Sequence, residues 1–140
     1  MSAQLDALAD VLGLPLRAGD GYLRLADEME HGLPAKALDR LAGLLAPGDA
    51  TFKYRVVPKA TLSRSKGKRL SQAHSERIGR YARIWAAALR VWKSEEEARA
   101  FLWRGNPLLE GRRPIEVATT EVGARLVEDI LGGLEYGTAI

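Results

Sequence analysis

Three features predict an all-α fold. Apolar residues recur at three- and four-residue spacing in nearly every segment, Gly and Pro punctuate the segment ends, and no runs alternate with the two-residue period of a sheet. The 140 residues suffice for one compact domain or two small ones sharing a core. A content of 46% hydrophobic and 28% charged residues is a globular balance and not a disordered one. Neither an internal repeat nor a low-complexity run is visible, which sets aside a solenoid. No stretch approaches the roughly 18 apolar residues of a membrane span, and Met1-Ser2-Ala3-Gln4 does not open a signal peptide. A cytoplasmic protein without a membrane partner is therefore expected. The lack of cysteine excludes disulfides, thiolate metal sites and cysteine nucleophiles.

Along the chain, Leu5, Leu8 and Leu12 form a helical row that Gly13 and Pro15 end, and Gly19-Asp20-Gly21 is turn chemistry. Tyr22 to Glu30 reads as a short helix closed by Gly32. Pro34 opens another through Leu38, Leu41, Leu44 and Leu45, which Pro47-Gly48 stops. Asp49 is placed to cap the next segment. Ala50 to Val57 is ambiguous, because Phe52, Tyr54, Val56 and Val57 favour strands in a helical context; a poor helix is the reading. Pro58 starts a helix reaching about Lys66, and Gly67 ends it. Ser71 caps the clearest segment, whose stripe is Ile78, Tyr81, Ala82, Trp85, Ala88, Leu89 and Trp92, with Arg77, Arg80, Arg83, Arg90 and Lys93 away from it. Ser94 and Glu97 form a capping box for a helix ending near Trp103. After the loop Arg104-Gly105-Asn106-Pro107, Pro114 begins a short helix through Ala118. Thr119 or Thr120 caps the last helix, in which Val122, Leu126, Ile130, Leu131 and Leu134 share a face and Gly132-Gly133 weakens the end.

Net charge is +3, but it is unevenly spread. Residues 1–50 carry four basic and eight acidic side chains, residues 51–93 twelve basic and one acidic (Glu76), and residues 94–140 five basic and nine acidic. A basic block between acidic flanks suggests that one region meets a polyanion while the others meet protein; a solvated basic face is the plainer alternative. His31 and His74 lack a nearby carboxylate or a second ligand at metal spacing, so no metal site or cofactor is expected. Glu95-Glu96-Glu97 suits a helix N-terminus rather than acid–base work. There is no phosphate loop and no nucleophile elbow, and no catalytic group is assigned. Trp85, Trp92 and Trp103 read as core rather than as a ligand cage.

The run from Val57 to Arg69 is different. A short helix with Val57 and Leu62 as anchors can lie in a major groove, with Lys59, Thr61, Ser63 and Arg64 near base edges and Lys66, Lys68 and Arg69 on phosphates. The helix–break–helix arrangement before it is what a helix-turn-helix needs. The tail Glu135-Tyr136-Gly137-Thr138-Ala139-Ile140 is the second unusual feature. Spacing alone favours a frayed end, and an ordered one requires a partner surface.

Pro58-Lys59-Ala60-Thr61-Leu62-Ser63-Arg64, Arg69-Leu70-Ser71, and a helix with Arg77 and Ala82-Arg83-Ile84 carry a family resemblance. It is extended by Ala98-Arg99-Ala100-Phe101-Leu102, the run from Asn106 to Glu116, Glu121-Val122-Gly123-Ala124-Arg125, and Gly133-Leu134-Glu135-Tyr136-Gly137. Over roughly residues 22–140 the chain resembles the Xre/MbcA/ParS antitoxin family. The resemblance implies an N-terminal helical extension (1–19), a helix-turn-helix for operator DNA (20–70) and a helical toxin-binding domain (71–140). It implies a RES-domain toxin, an NAD-consuming enzyme, as partner. Glu135, Tyr136, Gly137, Thr138, Ala139 and Ile140 would occupy that toxin's active-site entrance. It also implies a homodimer within a larger complex that represses its own operon. Two positions depart from the family pattern, the segment Ala50 to Val57 and Ser65 in place of a second basic residue. The alternative is a stand-alone helix-turn-helix regulator without a toxin; a small enzyme has no residues to support it.

Overall fold

The computed structural model describes residues 3–16 and 19–137, and every regular element in them is helical. In chain order these are α1 (Ala3–Leu12), α2 (Tyr22–His31), α3 (Ala35–Leu45), α4 (Lys53–Val56), α5 (Lys59–Arg64), α6 (Gln72–Trp92), α7 (Glu95–Trp103), a 3-10 turn (Pro107–Leu109), α8 (Pro114–Val117) and α9 (Glu121–Glu135). The chain divides into two compact units, Met1–Ala82 and Arg83–Ile140, and the division falls inside α6.

In the first unit α1 packs on α3, burying Leu5 and Leu12 with Leu38, Leu41 and Leu45. Pro34 and Pro58 each stand one residue outside the helix they open, as N-caps of α3 and α5. The ambiguous segment is a turn followed by the four residues of α4, and its strand-forming side chains serve burial instead. Phe52 meets Tyr81 edge to face at 6.2 Å and 78°, while Val56 and Val57 are fully enclosed. Asp49 closes the turn by accepting from the Thr51 backbone N–H (3.0 Å) and hydroxyl (2.8 Å). These hydrogen bonds hold its carboxyl below the ordinary carboxylate range.

Residues 32–34 and 69–70 are stitched together without a sheet. Leu70 N–H donates to the Leu33 carbonyl at 2.8 Å beside an isolated antiparallel bridge between Pro34 and Arg69. The buried Ser75 hydroxyl accepts from Leu33 N–H at 2.7 Å, so a donor sealed from water is satisfied. Gly32 lies at φ 96°, and a Cβ there would overlap the Leu70 carbonyl oxygen. Only glycine fits a chain crossing this tight.

The second unit is built on Ile84, Trp85 and Ala88 of α6, Ala98 and Leu102 of α7, Ile115 and Ala118 by α8, and Ala124, Val127, Ile130 and Leu131 of α9. Ser94 caps α7 by accepting from Glu97 N–H (3.4 Å), and of the two candidate threonines it is Thr120 that caps α9, accepting from Gly123 N–H (3.0 Å). Asn106 holds the loop before α8. Its side chain accepts from Leu108 N–H (2.9 Å), its N–H donates to the Arg112 carbonyl (3.0 Å), and its carbonyl accepts from Gly111 N–H (2.9 Å).

Several sequence expectations are corrected here. Val122, Leu126 and Leu134 do not face the core: they are 80%, 45% and 48% exposed. Ile130 and Leu131 of the expected face are buried, joined by Ala124 and Val127 rather than by those three, because Gly123 has no Cβ to strike the Val117 carbonyl and α9 can begin pressed against α8. α9 continues through Gly132-Gly133 to Glu135. Trp92 leaves the core stripe to stand 37% exposed at the end of α6, tilted against Phe101.

Arg83 and Arg90, which lie away from the apolar stripe of α6, bind α9 to α6. Arg83 makes a double hydrogen bond to Glu121 (2.8 Å each) and reaches Glu128 at 2.6 Å. The hydrogen bond to Glu121 pushes its pKa still higher, against partial burial, with Glu128 adding to the effect. Replacing Arg83 by Met is expected to cost about 1–2 kcal/mol, since two glutamates lose their cation while solvent still screens them. Urea unfolding of the variant, read by tryptophan fluorescence, measures that loss.

Candidate functional site

Val57-Pro58 is the turn between α4 and α5, and the basic run follows from it. Contrary to expectation, α5 stops at Arg64, because Ser65 folds back as its C-cap and its hydroxyl donates to the Thr61 carbonyl at 2.8 Å. Lys59, Ser63, Arg64, Lys66 and Lys68 are exposed, whereas Thr61 is half-buried and its hydroxyl accepts from Arg64 at 3.4 Å. Arg69 has other work: its guanidinium donates to the Gly32 carbonyl (2.8 Å) and pairs with Glu28 (3.6 Å), which holds the stitched crossing closed.

The large formal charge of the basic block is thus much reduced at the surface. Arg83, Arg90, Arg69 and Lys53 are in ion pairs, and the Arg77 guanidinium donates to the Arg55 carbonyl at 3.2 Å. Among the described residues Lys59, Arg64, Lys66 and Lys68 form no ion pair, and neither do the exposed Arg55 and Lys93, so four of the cations that remain cluster on and just after α5. Lys53 lies against Asp39 at 3.0 Å, a hydrogen bond that raises its pKa, and also beside the ring of Tyr54. Propensity marks Tyr54 only as a strand-former; the signal for its place beside the basic run is the Lys53-Tyr54 pair shortly ahead of Lys59.

The two histidines sit at helix ends. The His31 Nδ1–H donates to the Asp27 carbonyl at 2.7 Å, and His74 Nδ1 pairs with the Ser71 hydroxyl at 3.0 Å.

At the other end of the chain, Glu135 is not part of a loose tail. It closes α9 with its carboxylate accepting from Arg90 Nε at 2.9 Å. Tyr136 is the C-cap, with its side chain 80% exposed, and Gly137 turns the chain at φ 70°. Thr138, Ala139 and Ile140 lie outside the described residues. Of the eight large apolar side chains left exposed among the described residues, six (Trp92, Leu108, Val122, Leu126, Leu134 and Tyr136) belong to residues 83–140.

Two family models match the chain. The antitoxin Xre-like helix-turn-helix domain matches residues 24–83, and the antitoxin Xre/MbcA/ParS C-terminal toxin-binding domain matches residues 87–137. Among curated proteins, the chain is 29% identical over 136 residues to Antitoxin Xre of Yersinia enterocolitica serotype O:8 / biotype 1B (strain NCTC 13174 / 8081), covering 94% of this chain and 89% of that relative. With both halves matched in order and a relative alike along nearly its whole length, the chain belongs to the Xre/MbcA/ParS-like antitoxin family.

Proposed function

We propose that this antitoxin neutralises a RES-domain, NAD-degrading toxin by covering its active-site entrance with the segment 136–140, and that it binds operator DNA to repress its own operon. The observation that carries the reading is the concentration of exposed apolar side chains in residues 83–140, ending on the 80%-exposed Tyr136 at the close of an ion-paired helix. A steric plug requires no catalytic group. It requires a rigid base and a protruding end, and α9 tied to α6 through Arg83 and Arg90 supplies the base. In this reading residues 71–140 bind toxin, residues 20–70 bind DNA and residues 1–19 are an extension. The active species is a homodimer within a larger cytoplasmic complex.

The deciding experiment is NAD consumption by the product of the adjacent gene, with and without this chain. Suppression at near-equal molar ratio is expected. Absence of NAD loss, or a loss indifferent to the chain, would leave the stand-alone regulator as the reading. For the DNA half, replacing Lys59 and Arg64 together by Ala is expected to weaken operator binding about tenfold or more, measured by fluorescence anisotropy. Unchanged binding would remove α5 as the recognition helix.

A further inference from the structure

The exposed residues of α5 lie on two sides. Lys59 and Ser63, four apart, share one; Ala60 and Arg64, also four apart, share the next, about 100° around the axis. The first side borders a hollow of about 330 Å³ lined by Lys53, Tyr54, Lys59, Leu62, Ser63 and Lys66. Two ammonium groups lie over the Tyr54 ring, with Lys53 Nζ and Lys59 Nζ each 5.6 Å from its centroid. Attraction to the ring face gives both lysines a preferred position. The charge of Lys53 is balanced by Asp39 at 3.0 Å, so Lys59 and Lys66 supply the net positive charge. No acidic residue is among the lining side chains, and the Ser63 hydroxyl adds a neutral donor.

We propose that this hollow seats one backbone phosphodiester of duplex DNA, with Lys59 and Lys66 as its cations and Ser63 as a hydroxyl donor. The inference rests on the operator-binding reading above and refines it. Lys59 moves from the base-reading set to the backbone-holding set, and base edges are left to the Ala60 and Arg64 side. A concave seat with two unbalanced cations and no carboxylate in its lining suits an anion of fixed charge, whereas a base edge presents acceptors and donors together.

The test uses the full-length protein, alone and bound to its toxin. It is titrated onto a duplex from upstream of its own gene and onto a random duplex of equal length, between about 50 and about 200 mM salt. For Lys59→Gln and for Lys66→Gln, the slope of log affinity against log salt is expected to become shallower by about 0.9 on both duplexes. The advantage of wild type over each variant then shrinks about 3.5-fold across that fourfold salt range. The ratio of operator to random affinity stays unchanged, while Arg64→Gln lowers it. Wild-type binding with an unaltered slope in the lysine variants would overturn the seat alone, as would a lowered operator ratio in Lys59→Gln. Inorganic phosphate that binds wild type and not the lysine variants, while duplex affinity and slope are the same in all three, would assign the seat to a free anion and overturn the duplex assignment. Failure of the wild type to bind either duplex in either form would remove the operator-binding reading, and the seat with it.

Discussion

Removal of residues 136–140 is expected to abolish neutralisation of the toxin at equal molar ratio while leaving the helical unit folded. Tyr136 is the reason. A large aromatic held 80% exposed contributes almost nothing to its own fold, yet a buried aromatic anchor at an interface commonly carries about 2–4 kcal/mol. Loss of that amount corresponds to on the order of 30- to 1,000-fold in affinity. Truncation after Glu135 is chosen because that residue is the last of α9 and its carboxylate pairs with Arg90 at 2.9 Å. Cutting before it would loosen the helix end and confuse unfolding with lost contact. Titrating the truncated chain into an NAD-consumption assay reads the effect, with a thermal melt to show that the fold is retained. Full inhibition by the truncated chain would rule out the plug, and the exposed Val122 and Leu126 would then be the surface to examine.

The second large effect is on stability. Gly32→Ala places a methyl group against the Leu70 carbonyl at a backbone φ of 96°. Strain of a side chain in that region costs about 1–3 kcal/mol, and overlap with a backbone oxygen that cannot swing away adds a similar amount. A total loss of about 2–6 kcal/mol is a large part of the roughly 5–15 kcal/mol that holds a domain folded. The control is Gly43, in the interior of α3, where an added Cβ meets nothing within 4 Å. Gly43→Ala is expected to raise stability by about 0.5–1 kcal/mol. Circular dichroism melts of both variants decide the matter. A Gly32→Ala protein as stable as wild type would mean that residues 32 and 70 do not cross this closely.

Much of the fold is legible in the amino-acid sequence alone. Helix starts and stops are signalled by Ser94, Thr120, Pro58 and the punctuating glycines, because capping and φ preferences act within a few residues of where they are written. The basic run after Pro58 and the Tyr136 tail are also visible as local patterns. Sidedness is harder. In α9 two apolar rows compete: Ala124, Val127, Ile130 and Leu131 are buried, and Val122, Leu126 and Leu134 are left exposed. Spacing measures which residues share a face; it does not measure which face can approach a neighbour, and there the missing Cβ of Gly123 decides.

Composition and spacing thus determined the all-helical architecture, the helix order and the position of the basic segment, since each depends on interactions spanning a turn or two of chain. Only the tertiary structure decided which charges remain at the surface. Arg83 finds Glu121 and Glu128 at 38 and 45 residues' separation, and Arg90 finds Glu135 across 45. Such pairings require folded helices to bring distant carboxylates within hydrogen-bond reach, so a count of charges along the chain overstates what a partner meets. Four of the cations left over, Lys59, Arg64, Lys66 and Lys68, are gathered on and just after one short helix by the burial of Val56, Val57 and Leu70 on either side of it.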